Sequence, residues 1–317
     1  MTDTPAIKSV GIIGSGLIGM SWTALFLAKG LDVRVTDPVG KAEDNLRAFV
    51  AEVWPKLETL GLVQGASQDR LFFSTEIGMA LDGVDFVQEN GPERVELKRD
   101  IIRSVSEAVR NDVIIASSSS GLMPSTFQDA AVNPGRVLIG HPFNPPHLVP
   151  LVEIVGGKLT DETSIAQAIT FYKAMGKRPV RLRKEMKGHI ANRLQAAILR
   201  EVFHLVAEDV ASIADIDAAL SQGPGLRWAI LGQFLNSDLG GGEGGFAAFA
   251  KHLGPAVEDW WTDLGAERKI APETVAAVIE GLKQEAATHG RTEIEQARDD
   301  VLLDIIKAKA ARAALPE

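Results

Sequence analysis

His141 and Glu153 have the types and spacing that most clearly could do chemistry in this chain. They lie in Gly140-His141-Pro142-Phe143-Asn144-Pro145-Pro146, which runs on through Leu151-Val152-Glu153. A histidine oriented by a carboxylate can take the proton of an alcohol. Oxidation of that alcohol also needs a hydride acceptor, and a fingerprint for one opens the chain. Lys8-Ser9-Val10-Gly11-Ile12-Ile13 reads as a strand and Gly14-x-Gly16-x-x-Gly19 follows it directly. An apolar helix then starts near Leu17, and the next strand, Val33-Arg34-Val35-Thr36, ends in Asp37. In that order, Gly14 and Gly16 let a pyrophosphate approach the backbone at a helix start that includes Leu17 and Ile18. Gly19 lets the helix pack on the strand. Asp37, 18 positions after Gly19, would bond the adenosine ribose and repel a 2′-phosphate, favouring NAD over NADP. These residues imply NAD-dependent oxidation of an alcohol.

Other candidates read more plainly. The run Ser117–Ser120 follows the strand Val113–Ala116 and lacks a Gly-x-Ser-x-Gly elbow, so a serine nucleophile has no support. For Ser117 to Ser119 a loop with local hydrogen bonds is the favoured reading. His147, His204, His252 and His289 show no partner in sequence and are expected at surface or satisfied positions. His189, one residue after a glycine, could lie near the cleft, with packing at a helix start the favoured reading. No metal site is expected around His141, since no other ligand falls at suitable spacing. The chain has no cysteine, which removes disulfides and thiol chemistry.

The elements that must position these residues change character along the chain. The first part alternates β-branched runs with helical stretches, as in a parallel sheet with crossover helices. Further strands are expected at Leu71–Ser74, Val84–Gln88, Val137–Gly140, Leu151–Val155 and Arg178–Leu182, with helices at Glu93–Arg110 and Asp161–Met175. A helical segment between Lys41 and Leu62 should break at Trp54-Pro55, because proline disfavours helix at the residue before it. From Gly188 the strand signals stop, and the remaining periodic stretches are helical, with Leu239–Gly245 a flexible glycine-rich turn. The expectation is an α/β Rossmann-type N-terminal domain over 1–187 and an all-α C-terminal domain over 188–317. With 317 residues, two domains suit the length, and a net charge of −9 argues against nucleic acid. No apolar run suits a membrane span and Met1 to Lys8 carries no leader pattern, so a cytoplasmic protein is expected.

Taken together, Gly14-x-Gly16-x-x-Gly19, Ser120, His141-Pro142-Phe143-Asn144-Pro145, Glu153 and Gly188-x-x-x-Asn192-Arg193-Leu194 resemble the 3-hydroxyacyl-CoA dehydrogenase family over about residues 7 to 235. The resemblance implies His141 as general base, Glu153 as its orienting partner, and Ser120 and Asn192 as donors to the reacting oxygen. Glu93, Lys98 and Asn144 match positions that contact the nicotinamide half of NAD. It also implies a homodimer built through the helical domain.

The chain departs from the acyl-CoA members where they carry a basic hairpin for the CoA phosphates. Residues 41–70 here hold four cations (Lys41, Arg47, Lys56, Arg70) against five acids (Glu43, Asp44, Glu52, Glu58, Asp69). Several phosphates would find little net attraction there. Ser120-Gly121-Leu122-Met123-Pro124-Ser125 and Gly225-Leu226-Arg227-Trp228 resemble instead the branch that acts on small hydroxy acids, nearest to members acting on L-carnitine. The alternatives are a 3-hydroxyacyl-CoA, L-gulonate, or a non-catalytic crystallin-like or dinucleotide-binding role. A quaternary ammonium is best held by aromatic faces. Trp228, Trp260 and Trp261 are candidates for that contact, Arg227 for a carboxylate, and Phe143 for the substrate side of His141; helix packing explains any one tryptophan equally well.

Overall fold

The computed structural model describes residues 7–315. The chain forms two compact units, Met1–Asn192 and Arg193–Glu317. The expectation of no leader falls, for residues 1–6, outside the described residues.

The first unit is built on eight strands: β1 (Ser9–Ile13), β2 (Asp32–Thr36), β3 (Leu71–Phe73), β4 (Phe86–Glu89), β5 (Ile114–Ser117), β6 (Val137–Pro142), β7 (Leu151–Gly156) and β8 (Arg178–Arg181). Their order in the sheet is β3-β2-β1-β4-β5-β6-β7-β8. Alternation along the strands supplies both faces. Val10, Ile12, Phe86, Ala116 and Leu138 join one core cluster with Trp22, Phe26 and Phe171; Ile13, Val87, Ile115 and Ile139 join a second with Ile102 and Phe127. A sheet buried on both faces needs helices on both, and α1 (Leu17–Ala28), α2 (Ala42–Leu60), α3 (Ile77–Leu81), α4 (Val95–Ala108) and α5 (Glu162–Ala174) supply them.

Two expectations for this unit are corrected. The sheet is not wholly parallel: β7 runs antiparallel to β6, with β8 parallel to β7. The β6–β7 connection has no helix to carry the chain back across the sheet, so it can only return as a hairpin. Nor does α2 break at Trp54-Pro55; it continues through Pro55. An interior proline costs about 3 kcal/mol, but Leu46, Val50, Val53, Trp54 and Leu57 are all buried along this helix. At about 1.5–3 kcal/mol for each large side chain, packing wins.

The helices α6 (Ala191–Ala207), α7 (Ile213–Gln222), α8 (Pro224–Trp228), α9 (Gln233–Gly240), α10 (Gly245–Asp263), α11 (Pro272–Glu285) and α12 (Arg291–Ala310) complete the chain. The glycine-rich stretch is shorter as a turn than expected: α9 runs to Gly240, and α10 begins at Gly245. Among the described residues, no helix is long and apolar enough to cross a membrane.

Candidate active site

The strand order 3-2-1-4-5-6 reverses direction of growth between β1 and β4, and ligands of open α/β sheets bind at such a point. The glycine fingerprint is placed there by β1 and α1. Gly14 has φ +84°, a conformation that favours glycine. A Cβ on Gly19 would stand 1.9 Å from the Gly14 carbonyl oxygen, so only glycine lets the helix start this close to the turn. Gly16 caps α1 with no side-chain bond to its first amides, and Leu17 beside it is exposed. That leaves a helix N-terminus with donors open to an anion, which fits a pyrophosphate.

Asp37 closes this loop from the end of β2. One carboxylate oxygen accepts from the Ser15 amide (2.7 Å) and hydroxyl (3.0 Å), the other from the Val39 amide (2.9 Å). A carboxylate offers about four lone-pair sites, so capacity for a ribose hydroxyl remains.

His141 and Glu153 are brought together by register. They are directly paired across the antiparallel β6–β7 ladder, which puts both side chains on one face of the sheet. His141 Nδ1 lies 2.8 Å from Glu153 Oε2, and both residues are buried. Glu153 Oε1 accepts from the amides of Ile190 (2.7 Å) and Ala191 (3.0 Å) at the start of α6. Burial is the largest influence on this carboxyl and opposes its charge. The His141 bond and the two amides outweigh it and hold the carboxyl below the usual carboxylate range. An ionised Glu153 only accepts, so Nδ1 of His141 carries the proton and Nε2 is left bare to take one. Phe143 stands edge-on to His141, ring centroids 6.2 Å apart.

The serine run has the local hydrogen bonds expected of it, but its hydroxyls also make long-range ones. Ser117 donates from its hydroxyl to Glu89 (2.5 Å), Ser118 to Asn90 Oδ1 (2.7 Å) and Ser119 to Glu93 (2.6 Å). Each hydroxyl thus reaches the end of β4 or the chain after it, while Ser117 and Ser119 also accept from the nearby amides of Ser119 (3.2 Å) and Leu122 (3.1 Å). Glu93 also accepts from the Gly121 and Leu122 amides. Burial again opposes its charge most, but Ser119, these amides and Lys98 hold its carboxyl below the ordinary value. Lys98 is wholly buried, its ammonium bonded to both Glu89 oxygens (2.8 Å each) and to the Gly91 carbonyl (3.1 Å). Its three donors are spent inside the protein, so any service to a nicotinamide passes through the position of Gly91. Ser120 is exposed at the loop tip, and its carbonyl accepts from Asn192 Nδ2 (3.1 Å). Asn144 is exposed in the loop between β6 and β7.

That loop is fastened at two points. Ser21 on α1 accepts from the His147 amide (2.9 Å), and its hydroxyl is hydrogen-bonded with His147 Nδ1 (2.7 Å). Lys177 donates to the carbonyls of Pro146 and Val149, 2.5 Å each, and lies 5.2 Å from the Trp22 ring centroid. Sequence reasoning missed Lys177, since nothing in its neighbourhood distinguishes it from a surface lysine. His189, before the start of α6, has its ring against that of His141, centroids 5.1 Å apart.

In the second unit, Arg227, Trp228, Trp260 and Trp261 are exposed. Among the described residues none of these three indole rings stacks on another ring; Trp228 donates to Gln233. Trp260 and Trp261 are neighbours on α10 and point about 100° apart around it. A cavity of about 390 Å³ in this unit is lined by Leu199, Arg200, Phe203 and Ile270, among others, and by none of those four residues.

The sequence matches the NAD binding domain of 3-hydroxyacyl-CoA dehydrogenase over residues 9–186 and the C-terminal domain of that enzyme over residues 188–280. It is 44% identical to an L-carnitine dehydrogenase of Pseudomonas putida, covering 97% of this chain and 96% of that one. A Streptomyces griseus L-carnitine dehydrogenase is 42% identical, covering 97% and 93%. Among solved structures, a 5-formyl-3-hydroxy-2-methylpyridine 4-carboxylic acid 5-dehydrogenase described as an NAD+-dependent dismutase superposes with a TM-score of 0.84. It is 26% identical, covering 97% of this chain and all of that one (100%).

Proposed function

This chain belongs to the 3-hydroxyacyl-CoA dehydrogenase family and is an NAD-dependent dehydrogenase; from that premise we propose that it oxidises the C3 hydroxyl of L-carnitine to give 3-dehydrocarnitine. The near-full-length kinship with enzymes of that name carries the substrate. The His141–Glu153 pair supports the chemistry.

When bound, NAD+ supplies the hydride acceptor. His141 Nε2 takes the hydroxyl proton as the C3 hydride leaves, and the ketone forms. Glu153, ionised and held by two amides, fixes the ring and stabilises the imidazolium. Ser120 and Asn192 bond the reacting oxygen, and Phe143 borders the base. Glu93 and Asn144 hold the nicotinamide end, with Lys98 behind Gly91. Gly14 to Gly19 and Asp37 hold the pyrophosphate and ribose. For the carboxylate the candidate is Arg227, and for the quaternary ammonium the candidates are Trp228, Trp260 and Trp261.

NADH production across a panel of L-carnitine, L-gulonate and 3-hydroxybutyryl-CoA tests the substrate. Turnover of either of the last two with none of L-carnitine refutes it. Replacing the trimethylammonium with a neutral tert-butyl group should cost about 1–2 kcal/mol of affinity if aromatic faces read the cation. Equal binding of the neutral analogue would assign the tryptophans to packing.

The same reading includes a homodimer through the helical unit and an N-terminal domain ending near Lys187. In the second unit Ile216 and Leu303 are the buried large apolar side chains among the described residues, while Phe234, Leu239 and Trp261 are 80%, 63% and 63% exposed. Helices that leave this much apolar surface in water call for a partner. Sedimentation at micromolar concentration should find a dimer; a fully active monomer would refute it.

A further inference from the structure

Gly188 and His189 have φ of 75° and 52°, two successive left-handed residues that turn the chain sharply before α6. A side chain in that region is uncommon, so this position holds its histidine against the preference of the backbone. The turn does two things. It aims the Ile190 and Ala191 amides at Glu153 Oε1. It also drives the imidazole inside, 1% exposed, beside the ring of His141.

The protonation of that imidazole follows from its partners. Its Nε2 lies 2.9 Å from the Ser119 carbonyl oxygen, which can only accept. Nε2 therefore carries the proton and Nδ1 is bare, and among the described residues no donor reaches it. A second proton would have to go on Nδ1, in a buried place with nothing to accept it. Burial accordingly pushes this histidine below the ordinary imidazole range. The Ser119 bond pulls the other way, and the charged groups facing the ring (His141, Glu153 and Glu93) add smaller, opposing influences.

We propose that His189 is a positioning residue of the reaction: its Nε2–H ties the serine loop that carries Ser120 to the turn that holds Glu153, and its neutral ring keeps a competing charge away from His141. Three strand ends meet in this one turn. β5 is reached through the Ser119 and Ser120 carbonyls, from His189 and Asn192 respectively, and β7 through Glu153. β6 brings His141 against the His189 ring. Losing the Ser119 bond frees the loop relative to the base, and a displacement near 1 Å between reacting groups can cost about 10²-fold in rate. The inference rests on the reading of His141 as general base.

The test compares His189→Phe, which keeps a ring but no donor, with His189→Gln, whose Nε2 can stand where the imidazole Nε2 does. Turnover of L-carnitine is normalised to the number of NAD sites titrated, so that a misfolded fraction does not count. His189→Phe should lower kcat per site by about tenfold or more with NAD affinity unchanged, and His189→Gln should recover most of it. Equal impairment of both variants, or a loss that vanishes on normalisation, overturns the proposal. ¹⁵N NMR of labelled histidines in the wild-type NAD complex needs no substrate and so stands even where L-carnitine is not turned over. His189 should carry its proton on Nε2 and take up a second one only below the ordinary imidazole range. Titration within or above that range, or a proton on Nδ1, overturns it independently of the substrate assignment.

Discussion

Glu153→Gln changes neither the size nor the shape of the side chain, so what it removes can be worked out bond by bond. The Ile190 and Ala191 amides are donors only, so the glutamine oxygen must face them in place of Glu153 Oε1. Its NH₂ then faces His141 Nδ1, where Glu153 Oε2 now sits at 2.8 Å. Two donors cannot share that contact. The ring answers by moving its proton to Nε2, the atom that has to be bare to receive the substrate's proton. A bond to a charged partner is worth about 1.5–3 kcal/mol, which alone is roughly one to two decades of rate. The wrong tautomer adds to it, giving a loss of about 10²–10⁴-fold in kcat. NAD affinity should stay the same, since Glu153 makes none of the contacts that shape the Gly14–Gly19 turn. The assay is NADH formation at saturating L-carnitine and NAD+, with NAD binding measured separately. A kcat within about threefold of wild type would mean that Glu153 does not set the tautomer, and the assignment of His141 as base would fall with it.

Gly19→Ala places a methyl 1.9 Å from the Gly14 carbonyl, backbone that cannot swing aside, so NAD affinity should fall at least about tenfold; an unchanged dissociation constant in a calorimetric titration would refute the close approach. With Asp37 at the ribose end, NAD+ should be preferred over NADP+ by about 10²-fold or more in kcat/KM, and Asp37→Asn should narrow the gap. Comparable efficiency of the wild type with both cofactors would sink this. Lys177→Met leaves the Pro146 and Val149 carbonyls without their donor, at about 1–3 kcal/mol for each unsatisfied group, partly offset by removing a buried charge. Burial lowers the Lys177 pKa from 10.5 to about 7. The unfolded chain therefore binds more protons between those values, and this residue makes stability rise with pH across that window. Urea denaturation at about pH 7 and pH 9 should show a smaller rise in the variant than in the wild type; identical slopes would mean that Lys177 keeps its proton.

The eight strands and the NAD turn were legible because their signals are local. A β-branched run bounded by turn residues, and a glycine turn between strand and helix, are each contained in a dozen residues. Register is not local. Reading the sheet as parallel left Glu153 near His141 only by chain distance, whereas the antiparallel β7 sets the two directly opposite. Residues whose role lies in long-range partners were missed for the same reason. Ser117 to Ser119 look like loop serines until β4 and the chain after it are beside them, and Lys177 looks like any lysine until the Pro146 loop closes over it. His189 was read through its glycine neighbour as a helix start, which it is; the side chain's inward course comes from a positive φ that sequence does not display. Pro55 shows the opposite failure: a strong local signal for a break was overridden by the buried face of α2.

The distance between the cofactor turn and the base is fixed by buried polar groups rather than by the sheet alone. The turn lies at the ends of β1 and β4, and His141 on β6, with β5 between them. Gln88 on β4 spans that gap: its amide donates to the Gly140 carbonyl (3.2 Å) next to His141 and to Ser118 (2.8 Å), while its oxygen accepts from Tyr172 (2.5 Å). Ser118 passes the chain on to Asn90, whose own amide returns to the Ile13 carbonyl at the end of β1 (3.3 Å). Each member is satisfied by the next, so none can move without leaving a buried group unpaired at about 1–3 kcal/mol. Apolar packing tolerates small slides between strands, but such a chain of bonds does not. For a reaction in which a proton and a hydride leave one carbinol toward two different acceptors, that rigidity is what makes the two transfers coincide.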